Sequence, residues 1–204
     1  MNSEVSGKLQ VRAERKNRKR QEKKDQIAGS ALKALQELGY ANTSLRDIAE
    51  KSSLSLGMLH YYFEDRTELI LHCVSVYKTA FTSLLNETVN HAHGREAVIN
   101  ALAGALATTI VEEASTHRLW YDLRSQALFD SAFRPVVEEI EETLIDILKL
   151  AATRADKADE IDASLGYALI DGVFRYQLQN QITGTPRDQK ALAMEMRAVL
   201  ELFL

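Results

Sequence analysis

An all-α fold is predicted by three observations. Apolar residues recur with a period near 3.6 along most of the 204-residue chain, the spacing of helices that bury one face. Nowhere does the chain show the strict alternation of a half-buried strand. Glycine and proline number only 9 and 2, far below their average combined usage of about 12%. Sandwiches and barrels need turn residues every 8–12 positions, so that shortage argues against them.

The first apolar stripe opens after Asp25, with Ile27, Ala31, Leu35 and Leu38 on one face, and ends at Gly39, a natural C′ residue. Ser44 with Asp47 three positions on makes a capping box, with Thr43 as an alternative cap. The short helix they open buries Leu45, Ile48 and Ala49 and stops at Ser52-Ser53. Ser55 caps a third helix through Gly57, Met58, Leu59, His60 and Tyr61. Each of these two helices is too short to persist alone in water, so residues 25–63 must pack as one three-helix, homeodomain-like helix-turn-helix unit.

Longer helices follow. Leu69, Cys73, Val74, Tyr77, Phe81 and Leu84 stripe a fourth from Arg66 to His91, closed by His91-Ala92-His93-Gly94. A fifth covers 95–115 and a sixth 118–129. Pro135, a good N1 residue, opens a seventh, striped by Val136, Val137, Ile140, Leu144, Ile147 and Leu148. An eighth spans 159–181, with Leu165, Ala168, Leu169, Gly172, Val173 and Tyr176 on one face. Gly184 and Pro186 separate a last helix over 188–203.

Charge divides the chain unevenly. Residues 1–24 carry nine cations (Lys8, Arg12, Arg15, Lys16, Arg18, Lys19, Arg20, Lys23 and Lys24) against three anions, whereas residues 81–204 carry eleven cations and nineteen anions. A basic leading end on an acidic body suits a protein that touches a polyanion at one end only. The competing expectation is a flexible, solvated arm. The longest charge-free apolar run, Ala97–Val111, has 15 residues, too few to span a bilayer. No apolar stretch follows the basic start, so it does not read as a secretory signal. The single Cys73 forms no internal bridge, which fits a reducing, cytoplasmic compartment.

The third helix carries the chemistry. Gly57 permits close backbone approach, and His60, Tyr61 and Tyr62 gather at its C-terminal end. Hydroxyls and helix N-terminal amides donate to phosphate oxygens, and an aromatic cluster can touch thymine methyls. Tyr61 and Tyr62 are adjacent and cannot point the same way, so one of them is partly structural.

The run Thr43-Ser44-Leu45-Arg46-Asp47-Ile48-Ala49, then Leu54-Ser55-Leu56-Gly57-Met58-Leu59-His60-Tyr61-Tyr62-Phe63, then Arg66-Thr67-Glu68-Leu69, resembles the DNA-binding domain of TetR-family transcriptional regulators. The match covers residues 25–71; the remainder, 72–204, is similar only in architecture, as a helical ligand-binding and dimerisation domain. The resemblance implies that Thr43 and Ser44 contact phosphates and that Arg46 reaches a phosphate or base edge. It also implies that Ser55, Leu56, Gly57 and Met58 face the major groove. Tyr61 and Tyr62 would brace phosphates, with Arg66 in place of a lysine. Three positions depart from the family pattern: His60 stands for a tyrosine, Leu56 for a polar residue, and Ser53 for a turn glycine. Either Ser53 accepts the left-handed conformation, at a cost of about 1 kcal/mol, or the turn differs from the family's.

A twofold dimer on double-stranded palindromic DNA supplies the affinity that one helix-turn-helix lacks. The seventh and eighth helices are the expected dimer elements, through Val137, Ile140, Leu144, Ile147, Leu165, Leu169, Gly172, Val173 and Tyr176. Trp120, Tyr121, Arg124, Phe129 and Phe133 mark a candidate pocket for a small-molecule effector. Arg124 there suits an acidic or carbonyl-bearing ligand, although Asp122 or Glu113 could equally pair with it. These readings add up to a dimeric repressor released by an effector. Control by a protein partner is the alternative, favoured by a filled body core. An enzyme on a helical bundle is disfavoured, because Glu-x-x-His pairs, Gly-rich phosphate loops and nucleophile elbows are all missing from the sequence. His91 and His93, two apart, do not share a helix face, so no metal and no cofactor is expected.

Overall fold

The computed structural model describes residues 2–39, 43–158 and 162–204, with side chains from residue 11 onward. The Lys8 side chain and Asp159, assigned above to the basic arm and the eighth helix, lie outside the described residues. Among the described residues the regular elements are helices alone. The chain divides into two compact units after Val76.

In the first unit, α1 (Asn2–Leu38), α2 (Leu45–Lys51), α3 (Leu56–Tyr62) and the first turns of α4 (Arg66–His91) pack together. Ile27, Ala28, Ala31, Ala34 and Leu35 of α1 close over Ile48, Ala49, Leu59, Phe63, Leu69 and Ile70, and all are buried. Short caps shape the turns. Ser44 and Asp47 form the capping box at the start of α2, and the Ser55 hydroxyl accepts from the Met58 amide at 3.1 Å. The same device opens α4, where Asp65 accepts from the Glu68 amide (2.8 Å) and Glu68 from that of Glu64 (2.6 Å). Gly39 takes φ 78° as the C′ residue, and Ser53 takes φ 57° in the α2–α3 turn, so the serine does enter the left-handed region. Lys24 pairs with Glu68 at 2.5 Å and Asp25 with His72 at 2.8 Å, tying α1 to α4.

One expectation about α1 changes. The helix extends back to Asn2 instead of opening at Asp25. Residues 11–24 are rich in Arg, Lys, Glu and Gln, all good helix formers, with an Arg18–Glu22 pair at i,i+4. Because they bury little, they carry no apolar stripe to announce the helix.

The second unit holds the rest of α4 with α5 (Arg95–Glu112), α6 (Ala114–Gln126), a 3₁₀ turn (Ser131–Phe133), α7 (Arg134–Arg154), α8 (Ala163–Thr183) and α9 (Gln189–Leu200). α5 is the central helix: Val98, Ile99, Leu102, Ala103, Leu106, Ala107 and Ile110 are all buried, and α9 packs along it. Arg95 fastens the chain end by donating from Nε to the Leu204 carbonyl at 2.6 Å. On α8, Gly166 faces the Leu148 and Phe203 side chains so closely that a Cβ would stand 2.8 Å from Leu148 Cδ2. No single helix among the described residues is long and apolar enough to cross a membrane.

Candidate functional site

Two groups of residues concern function, one in each unit. In the first, α3 packs on α1 and α2 with Leu59 buried beneath it. Its outer face presents Gly57 and His60, exposed, with Leu56 and Met58 half-buried. A Cβ built on Gly57 meets nothing within 4 Å, so no intramolecular packing requires glycine there. Ser55 and Arg46 are exposed.

The tyrosine pair divides its roles as adjacency demanded. Tyr61 is 68% exposed, whereas Tyr62 is half-buried with its ring edge-on to Tyr61 at 4.9 Å. Arg20, from the basic part of α1, lies over both rings at 5.6 and 5.5 Å and donates to the Tyr61 carbonyl at 3.4 Å. Sequence reasoning counted Arg20 as arm charge and missed this contact, since only helix packing brings it there. Arg66 is half-buried at the first residue of α4.

Thr43 requires a correction. It is 2% exposed, and its hydroxyl donates to the Gly39 carbonyl, so it closes the end of α1 and does not offer itself to a phosphate. Ser44 is exposed but engaged: its Oγ donates to Asp47 Oδ2 at 2.5 Å and accepts from the Asp47 amide at 3.2 Å. Those bonds hold the Asp47 carboxyl below its usual pKa. Of the residues expected to reach DNA from α2 itself, Arg46 is exposed.

In the second unit a partly open cavity of about 80 Å³ lies among the body helices. Phe81, Leu85, Leu102, Leu106, Leu144, Ile147 and Phe174 supply its apolar wall, with Lys78, Tyr121, Tyr167 and Asp171 as its polar groups. Of the five residues expected here, Trp120 and Tyr121 line it. Arg124 stands behind it, donating to Asp171 Oδ2 (2.5 Å) and pairing with Glu141 Oε1 (2.6 Å), while the Tyr121 hydroxyl donates to Asp171 Oδ1 (2.8 Å). Neither Asp122 nor Glu113 is the partner. Burial works against the guanidinium charge, but Asp171, Tyr167 and Glu141 together outweigh it and hold its pKa above the usual value.

Phe129 and Phe133 do not belong to the cavity. Phe129 is 85% exposed just beyond α6, and Phe133 is fully buried in the 3₁₀ turn that begins α7. α6 ends at Gln126, which takes both rings off its apolar face.

Lys78 was not foreseen. It is 3% exposed, and its ammonium lies over the rings of Trp120 (4.5 Å), Phe81 (4.6 Å) and Tyr77 (5.5 Å). The signal was present: Lys78 falls four residues after Val74 and three before Phe81, on the buried stripe of α4. Burial pushes its pKa down to about 7, with Asp171 and Glu113 pulling up and Arg124 pushing further down. Beside it, His117 is fully buried with Nδ1 2.7 Å from the Tyr77 hydroxyl, and burial keeps its pKa well below 6.5.

The expected dimer residues separate by helix. On α7, Val137, Ile140 and Ile147 are buried within their own chain, and Leu144 lines the cavity. They are core, a correction with a simple reason: α7 packs on α8 and on the 3₁₀ turn, and its stripe is consumed there. On α8 the reverse holds. Leu165, Leu169, Gly172 and Tyr176 are exposed and Val173 is half-exposed, while the opposite face, Gly166, Phe174 and Leu178, is buried.

A three-helix unit with a capped turn and an outward-facing third helix is a helix-turn-helix DNA-binding domain. Residues 27–73 match the family model described as bacterial regulatory proteins, tetR family. Over 166 residues, 75% of this chain and 77% of its own length, the transcriptional regulator PksA of Bacillus subtilis is 27% identical. Among solved structures, a TetR transcription regulator from Haloarcula marismortui has a similar fold (TM-score 0.72, 19% identity, 89% of this chain and 96% of that one). So does Bacillus subtilis FadR in complex with stearoyl-CoA (TM-score 0.62, 18% identity, 87% and 96%). Residues 27–73 are thus a tetR-family DNA-binding domain, and the relatives that the chain matches along most of its length are transcriptional regulators, not enzymes.

Proposed function

We propose that this regulator is a repressor. It binds a palindromic operator as a homodimer through α3 and the start of α2, and it is released when a small molecule fills the body cavity. The observation that carries the dimer is the α8 face: Leu165, Leu169, Gly172, Val173 and Tyr176, spaced i, i+4, i+7, i+8 and i+11, form an apolar stripe that the described residues leave exposed or, at Val173, half-exposed. A second copy related by a twofold axis covers such a stripe with itself. Gly172, beside which a Cβ would meet nothing, then lets two α8 helices approach closely.

The effector reading is supported by the cavity, since a filled core would instead have favoured control by a protein partner. The FadR relative was solved with stearoyl-CoA, a small-molecule complex on a similar fold. A ligand that prefers one dimer arrangement lowers operator affinity by its differential affinity for the two arrangements.

The test is selection of bound DNA from a random library, with the expected product a palindrome of two half-sites. A pool without twofold symmetry, or no enrichment, overturns the reading. Light scattering checks the interface: wild type is dimeric, and Leu169→Asp is monomeric and loses operator binding. Tyr62→Phe with Arg66→Ala weakens binding about tenfold and lowers the salt slope by about 1, as loss of one phosphate contact requires.

A further inference from the structure

We propose that the body cavity recognises an amphipathic carboxylate, an apolar chain bearing one carboxylate head, and that the Lys78 ammonium receives that head. The proposal deepens, and rests on, the reading of this cavity as the effector site.

The charges around the cavity are committed, with one exception. Asp171 accepts from the Tyr121 hydroxyl and from Arg124, and Arg124 spans Asp171 and Glu141. Lys78 is different. Its three N–H donors, buried to 3% exposure on the cavity wall, have ring faces for neighbours and no hydrogen bond or ion pair among the described residues. Buried polar groups of folded proteins are almost always hydrogen-bonded. An ammonium against aromatic faces keeps part of its electrostatic stabilisation but still lacks an acceptor.

The remaining wall decides what brings that acceptor. Leu102 and Leu106 of α5, Leu144, Ile147 and Leu148 of α7 and Leu200 of α9 are all apolar, so the body of the ligand is apolar too. A neutral ligand adds nothing to the partial compensation that Asp171 and Glu113 give the ammonium, and a cation adds a like charge to it. A phosphate brings a second negative charge toward Asp171, with no second uncommitted cation on the described wall. One carboxylate matches one ammonium, through short charge-assisted hydrogen bonds.

Proton balance follows. Lys78 is surrounded by Tyr77 on its own helix, Glu113 at the α5–α6 junction, His117, Tyr121 and Arg124 on α6, and Tyr167 and Asp171 on α8. Its pKa near 7 in the empty cavity means that part of the population is neutral at physiological pH. A carboxylate head favours the protonated form, so binding takes up a proton and weakens as pH rises above 7.

Trp120, the only tryptophan of the chain, lines the cavity and reports occupancy by its fluorescence. The full-length protein is titrated with decanoate, decanol and decyltrimethylammonium, each below its aggregation concentration. Decanoate is expected to bind about tenfold or more tightly than decanol, and the cation most weakly. Lys78→Met, which fills the same volume without charge, binds decanol as wild type does and loses the preference; Lys78→Gln repeats the measurement should the methionine variant fold poorly. From pH 6 to 9 decanoate affinity falls while decanol affinity stays level. Equal affinity for decanoate and decanol, a preference that survives at position 78, or binding of none of the three overturns the assignment. Operator release is measured separately. Lys78-dependent decanoate binding without release removes the effector role and leaves the ligand chemistry standing.

Discussion

The helix-turn-helix unit and the helical body solve the problem of placing polar groups in opposite ways. In the first unit the polar groups that shape the fold act over three or four residues: Ser44 with Asp47, Ser55 with Met58, Asp65 with Glu68. In the body they act across 47 and 50 residues, where Arg124 and Tyr121 meet Asp171. Local caps set the direction of a helix from within its own sequence. Remote pairs depend on several helices arriving together and mark the place where the core is left incompletely filled.

The contrast is broken most sharply at Asp171. Asp171→Ala deprives Arg124 and the Tyr121 hydroxyl of their shared acceptor in a largely buried site, and is expected to cost about 2–3 kcal/mol. Urea unfolding followed by Trp120 fluorescence reads it. A loss below about 0.5 kcal/mol would show that the network contributes no more than a surface pair.

A pH series sharpens the same point. Lys78 titrates near 10.5 when unfolded and about 7 when folded, so between those values the unfolded chain binds more protons. Stability of the empty body therefore rises as pH rises from 7 to 8.5, by about 1 kcal/mol per pH unit. Lys78→Met flattens that rise. A wild type that is level over the same range would mean the amine is not buried as described.

In the helix-turn-helix unit single changes act through the backbone. Gly57→Ala places a methyl where nothing stands within 4 Å and removes a glycine from the first turn of α3. The expected stabilisation is about 0.8 kcal/mol, together with weaker operator binding measured by fluorescence anisotropy. Unchanged binding would take Gly57 out of the groove. The smallest effect is Ser53→Gly, which relieves the left-handed serine at φ 57° but adds the folding entropy cost of a glycine, so that the net stabilisation is below about 0.5 kcal/mol, with no effect on ligands of the body.

The legibility of each region follows from the same distinction. The bounds of α2 and α3 and their serine caps were readable, because each depends on residues within one turn of the chain, whereas the sequence left open whether Ser53 turns left-handed or the turn itself differs, and the structure makes it left-handed. Arg20 over Tyr61 and Tyr62 was not, because it needs α1 extended beyond its apolar stripe. For α7 and α8, apolar spacing located the stripes but not their directions. Two helices with equally good stripes ended with one turned inward and one outward, a choice made by which neighbours had surface left to cover.

What the amino-acid order determined alone is the all-α class, the order of the helices and the capped turn that defines the DNA-binding unit, since helix periodicity and capping are local properties of the chain. What tertiary structure decided is which charge remains uncommitted. Arg124 is the obvious cation in sequence, yet folding pairs it with Asp171 and Glu141 and leaves Lys78 on the cavity wall without an acceptor. Pairing of charges is settled by distance in space, and distance in sequence does not fix it.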